Sequence, residues 1–219
     1  MKKIIALILL CPIILVLTFS TGCKQNSVQT SDVDSTHFPP NTRKPNIYIY
    51  PTTTCSLSVK IEFPVGGTIT KSEPEYKDGW NIKVETSGKI NDKYDYLFYE
   101  CRNPDLYQYN SGWVVSRDTL FEFFSNNLSA AGFNANEIND FTEYWISRLV
   151  EYPYYIIYPQ LTNDIEKVIR LKFSIAPDNI LRLFYAVKGT NNPDVDLEMP
   201  AITKFEREGF VVAEWGVVI

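Results

Sequence analysis

Apolar and polar positions follow two different periods along this chain, and the switches between them mark its architecture. Leu57, Val59, Ile61 and Phe63 alternate with Ser58, Lys60 and Glu62, the period of two that puts every second side chain on one face of a strand. Trp80, Ile82 and Val84 repeat the pattern, as do Leu171, Phe173 and Ile175. Runs rich in β-branched and aromatic residues at Ile47–Tyr50, Tyr94–Cys101, Trp113–Val115, Tyr154–Tyr158, Ile180–Val187 and Gly209–Val218 read as further strands. Val65-Gly66-Gly67 reads as a turn into a return strand from Thr68 to Thr70, and Pro177-Asp178-Asn179 as the turn of a hairpin. Gly216 marks a bend or bulge in the last strand.

The middle of the chain switches to a helical period. Ser116 is placed to cap a helix whose Leu120, Phe121, Phe124, Leu128 and Ala131 share one face, with Gly132 as its stop. Asn134 opens a second helix, Glu137 completes a capping box, and Ile138, Phe141, Trp145 and Leu149 form its apolar stripe up to Pro153. There is no internal repeat and no β-α-β alternation. The pattern predicts an α+β fold, antiparallel sheet with an inserted helix pair, in one domain over residues 44–219.

The first 43 residues follow a different logic. Lys2 and Lys3 precede an uncharged apolar run from Ile4 to Phe19, and Ser20-Thr21-Gly22-Cys23 follows. Basic start, apolar middle and small residues before a break predict a signal peptide over 1–22. The run is shorter than the roughly 20 residues of a spanning helix and contains Pro12. Gly22-Cys23 resembles the lipobox of bacterial lipoproteins, in which the cysteine is lipidated, although Ser20 stands where that motif usually has Leu. The resemblance implies attachment to a membrane through Cys23, on the extracytoplasmic side. Residues 24–43 are rich in Ser, Thr, Asn and Asp, end near Pro39-Pro40, and read with Cys23 as a lipidated tether.

Charge and cysteine content narrow the choices. Taking Lys2 and Lys3 from the 21 basic residues leaves 19 against 26 acidic ones, a mature net charge of −7. The chain has no basic cluster, which argues against a nucleic-acid partner. Within the domain only Cys55 and Cys101 remain, compatible with one disulfide or with two buried thiols.

Several segments together resemble a family of uncharacterised, mostly bacterial envelope or secreted proteins. Lys44-Pro45-Asn46-Ile47-Tyr48-Ile49-Tyr50-Pro51 resembles its KPxIYLYP opening, with Ile49 in place of Leu. The likeness continues at Pro74–Trp80, at Tyr96–Glu100 (Tyr99 in place of Trp), at Phe141–Trp145, at Arg182–Gly189 and at Phe205–Phe210, and ends at Val212–Gly216. It implies one exported domain and transfers no catalytic residue.

Candidate chemistry is sparse. The sole histidine, His37, lies in the tether, which leaves the domain without a Ser-His-Asp set or a His-containing zinc site. Nucleotide-binding and serine-hydrolase motifs are absent, and no cofactor or metal is expected. Asp194, Asp196 and Glu198 alternate so that their carboxylates share one side of an extended segment, a candidate calcium-ligand spacing that reads more simply as a solvated acidic loop. Paired carboxylates and aromatic faces suffice for glycoside hydrolysis, and Glu100, Glu143, Glu214 and Asp78 stand beside apolar or aromatic residues. Tyr48, Tyr50, Trp80 and Trp215 are candidates for a ligand platform. Three functions follow: a lipid-anchored domain binding a protein or glycan at the envelope, its rival a carboxylate-dependent, glycan-active hydrolase, and third a purely structural envelope component.

Overall fold

A computed structural model describes residues 41–219. Ten strands, β1 (Asn41–Tyr50), β2 (Cys55–Glu62), β3 (Thr68–Glu73), β4 (Trp80–Val84), β5 (Leu97–Arg102), β6 (Trp113–Ser116), β7 (Tyr154–Leu161), β8 (Arg170–Phe173), β9 (Asn179–Thr190) and β10 (Val211–Val218), form two sheets. The larger has seven strands in the order β3-β5-β1-β10-β9-β7-β6, and the smaller has three in the order β4-β2-β8. Two helices, α1 (Leu120–Ala131) and α2 (Ala135–Trp145), lie between β6 and β7 in sequence, and a four-residue helix, α3 (Thr162–Ile165), follows β7. The expected α+β class holds.

Alternation builds three layers. Ile47, Ile49, Leu97, Tyr99, Phe184 and Val212 of the large sheet pack with Leu57, Val59, Trp80 and Ile82 of the small one. The opposite side chains of the large sheet, Tyr48, Leu183, Tyr185, Ala213, Trp215 and Val217, pack with Leu120, Phe124, Leu128, Phe141 and Trp145 of the helix pair. Covered on both faces, β10 buries all eight residues, so its sequence reads as an apolar run instead of an alternating one.

Several details of the strands depart from the sequence reading. Strand β1 starts at Asn41, inside the expected tether: Thr42 is fully buried with its hydroxyl 2.8 Å from Tyr107 OH, and Asn41 exchanges backbone bonds with Ile219. Strands β8 and β9 do not form a hairpin, because β8 pairs with β2 while β9 pairs with β7 and β10. The turn at Asp178 is tied to the start of β10, with Phe210 N donating to Asp178 Oδ2 at 2.7 Å. The large sheet is mixed, since β9 and β10 run parallel and residues 191–210 make the long return that a parallel pair requires. The bulge expected at Gly216 is in the neighbouring strand: the register of β1 slips between Arg43 and Asn46, with Lys44 at φ +56°, while β9 and β10 stay in register through Gly216.

The helix pair follows the reading more closely. Asn134 and Glu137 make the reciprocal capping box, and Gly132 ends α1 at φ +108°. Ser116 makes no side-chain cap, because a 3₁₀ turn at Arg117–Thr119 precedes α1. Phe121, expected on the apolar face, is 60 % exposed. Helix α2 stops at Trp145, and Leu149 packs into the core from the turn beyond it. Cys55 and Cys101 are both free thiols; burial pushes that of Cys101 up to about 12.

Candidate functional site

The chain forms a cleft of about 650 Å³ where the end of β1, the loops at 85–96 and the start of α2 meet. Its lining is Tyr48 and Tyr50 from β1, Ser87, Gly88, Asp95 and Tyr96 from the loops, and Asn134, Asn136, Asn139 and Asp140 from the capping residue and first turns of α2. Local structure explains each contribution. Tyr48 and Tyr50 are two residues apart on a strand and share its helix-facing side. Asn136, Asn139 and Asp140 are spaced i, i+3 and i+4, on one face of the helix. Gly88, at φ +90°, lets its loop lie on the Tyr50 ring, since a Cβ there would meet Tyr50 Cε1 at 2.8 Å.

Hydrogen bonds fix the floor. Asn46 Nδ2 donates to Tyr48 OH at 3.3 Å, and Tyr48 OH donates to Asp140 Oδ2 at 2.9 Å. Asn46 is fully buried, and its Oδ1 has no partner among the described residues. The Tyr48 and Tyr96 rings meet edge to face at 5.3 Å. Behind Tyr96, Lys44 Nζ donates to its hydroxyl at 3.2 Å and sits 4.5 Å from the centre of the Phe98 ring. The β1 bulge re-aims Lys44 into this aromatic box. On the other flank Glu137, fully buried, accepts both arms of the Arg207 guanidinium at 3.0 Å, and Asn134 Nδ2 donates to Tyr50 OH at 3.2 Å.

The electrostatics follow from burial. Desolvation raises the carboxyl pKa of Asp140, opposed by the Tyr48 hydrogen bond and the charge of Lys44. Burial lowers Lys44, an effect opposed by Asp140. It raises Tyr48, Tyr50 and Tyr96, so all three stay neutral donors at neutral pH. Asp95 is held at the surface by Lys89, 2.9 Å away.

The sequence candidates fall in different places. Tyr48 and Tyr50 line the cleft. Trp80 is 3 % exposed, packed on Tyr76 with Nε1 donating to Pro74 O at 2.8 Å, and Trp215 is fully buried between Tyr48 and Phe141. Neither presents a face to a ligand. Glu214 is sealed between the sheets, accepting from Arg182 Nε at 2.6 Å and from Tyr99 OH at 2.8 Å. Asp78 is exposed in the turn before β4, on the small-sheet side, and Glu143 is exposed on α2. Glu100 is half-buried in a separate groove with Asn41, Arg43 and Arg102. These four carboxyls therefore do not converge. Cys23 lies outside the described residues, and no described helix is long and apolar enough to cross a membrane.

Sequence reasoning missed Asp95, Tyr96, Asp140 and the three asparagines. The one local signal was α2 itself, whose polar face carries asparagines where a merely solvated face usually carries Lys and Glu. Comparison with models of protein families, with curated proteins and with solved structures returns no match.

Proposed function

We propose that this chain is an extracytoplasmic binding domain, anchored to a bacterial membrane by lipid on Cys23, whose cleft holds a glycan. The observation that carries the reading is the lining. The partly exposed rings of Tyr50 and Tyr96, the edge of the buried Tyr48, three asparagine amides and two carboxylates surround one open cavity, which matches a sugar's apolar ring faces and its many hydroxyls. Its volume falls within the range of small-ligand pockets. The test is titration calorimetry of the full-length chain in detergent against oligosaccharides of envelope type, with Tyr50→Ala and Asn136→Ala as paired variants. Binding that falls about tenfold or more in both variants supports the reading. Saturation unaffected by either variant, or no binding by the wild type, ends it.

A second reading, glycan hydrolysis, is favoured by one observation: Asp95 and Asp140 line the same cleft. Asp140, with its raised pKa, would act as the acid and Asp95 as the partner carboxylate. Release of new reducing ends by the wild type, lost in Asp140→Asn, supports it; intact oligosaccharide after prolonged incubation ends it.

A further inference from the structure

The cleft holds a carboxylate, that of Asp140, with no cation in ion-pair contact among the described residues. Asp140 receives a hydrogen bond from Tyr48 OH on Oδ2, and among the described residues no ammonium or guanidinium lies within 4.0 Å of its carboxylate. The neighbouring cations make their contacts elsewhere, and Lys44 acts on Asp140 only through its charge at a distance. Lys44 is bonded to Tyr96 OH within its aromatic box, Lys89 is paired with Asp95, and Arg207 is clamped on Glu137. No Lys or Arg lines the cleft itself. A half-buried carboxylate in an aromatic-walled cavity is held at a cost, and a cation arriving with the ligand removes that cost.

Resting on the glycan reading, we infer that the cleft recognises an amino sugar whose nitrogen is unacetylated and protonated, with Asp140 as its counter-ion. The ammonium takes the unoccupied side of the Asp140 carboxylate. The sugar hydroxyls take the amides of Asn136 and Asn139 and the hydroxyl of Ser87. A lysine side chain is a poorer occupant, because its bare methylene stem leaves those amides without partners. The mature chain's net charge of −7, from 19 basic and 26 acidic residues, also favours a cationic polysaccharide over an acidic one.

Calorimetry of the full-length chain in detergent tests this with two probes, a β-1,4-linked glucosamine tetramer and its fully N-acetylated counterpart. The glucosamine tetramer is expected to bind at least about tenfold tighter, as a charge-assisted hydrogen bond predicts. Raising salt from low to high ionic strength is expected to weaken that tetramer only. In Asp140→Asn, a near-isosteric change that keeps an acceptor for Tyr48, the preference is expected to collapse while binding of the acetylated tetramer persists. Equal or tighter binding of the acetylated tetramer by the wild type overturns the inference and leaves the glycan reading standing. Failure of both tetramers overturns the inference, and a lysine octapeptide that binds where they fail reassigns the cleft to peptides. Loss of the preference in Asp95→Asn but not in Asp140→Asn overturns the assignment of the counter-ion.

Discussion

Arg182 and Glu214 form the most deeply buried ion pair among the described residues. Arg182 is 2 % exposed and Glu214 is fully buried; besides their mutual 2.6 Å bond, Arg182 Nη1 donates to Ile169 O at 2.8 Å and Tyr99 OH donates to Glu214. Burial works against the arginine's charge, and its interactions with Glu214, Tyr99 and Glu166 together outweigh that, so its pKa is raised. Removing one partner leaves the other charge buried alone, which costs about 3–5 kcal/mol. Glu214→Leu is therefore expected to lower Tm by about 6–20 °C, measured by calorimetry, and Arg182→Met in the same chain is expected to restore most of the loss. A tolerated single variant would show that water reaches the pair. Asp140 gives the opposite sign. Its folded pKa lies above the unfolded value, so the native state binds the proton first as pH falls. The group thus weakens folding above its folded pKa, and that penalty is relieved as pH drops toward the unfolded value. Asp140→Asn is expected to raise Tm at pH 7 by about 1–3 °C, a modest figure because solvent screens the site. Melting curves at pH 7 and pH 4 check it: the gap between variant and wild type closes at the lower pH, and a gap that widens there sinks the assignment.

At the scale of elements, the start of α2 joins fold to site. Asn134 Oδ1 accepts from Glu137 N at 3.0 Å, Glu137 Oε2 accepts from Asn134 N at 2.8 Å, and Asn134 Nδ2 reaches Tyr50 OH. Asn134→Ala removes the cap and is expected to cost about 1 kcal/mol, or about 2–4 °C in Tm. Asn134→Asp keeps the cap and suits the positive end of the helix, but loses the donor to Tyr50. Its Tm is expected to stay within about 1–2 °C of wild type while ligand affinity falls, and equal damage to both properties would show that cap and cleft are not separable. This box was legible because its signal is local, one residue type at each of two fixed offsets. The β8–β9 hairpin misread comes from the same source as the correct strands. Alternation in Leu171 and Phe173 tells which residues share a face, not which strand lies beside them. The parallel β9–β10 pair was equally hidden, because a return through residues 191–210 has no periodic signature. The tether boundary missed Asn41–Arg43 because their partners are backbone groups of β5 and β10, which composition does not report. In the cleft, Tyr48 and Tyr50 were legible as rings with a polar end on a strand. Asp95 and Asp140 were not, since they are 45 positions apart in sequence and meet only through the tertiary fold.

For the molecule as a whole, the proposed membrane attachment raises the question of what would hold it there. The described domain contains no helix able to span a membrane, and its 18 basic residues are outnumbered by 24 acidic ones. An acidic surface without a polybasic cluster gains nothing from anionic lipid and is repelled by it. On the proposed reading, attachment therefore rests on the acyl chains at Cys23, and several chains are needed because one alone binds only marginally. The prediction is specific to that chemistry. Cys23→Ser is expected to move the protein from the membrane pellet to the soluble or secreted fraction with the cleft's ligand affinity unchanged, since the cleft lies within residues 48–140. Wild-type chain is expected to partition into detergent phase at low and high salt alike, because a lipid anchor, unlike an electrostatic one, is insensitive to ionic strength. Intact-mass measurement separates the remaining possibility. A mature mass beginning at Cys23 and carrying acyl groups is the expected result, whereas a serine variant that keeps residues 1–22 and stays in the membrane would replace the lipid anchor with an uncleaved apolar one.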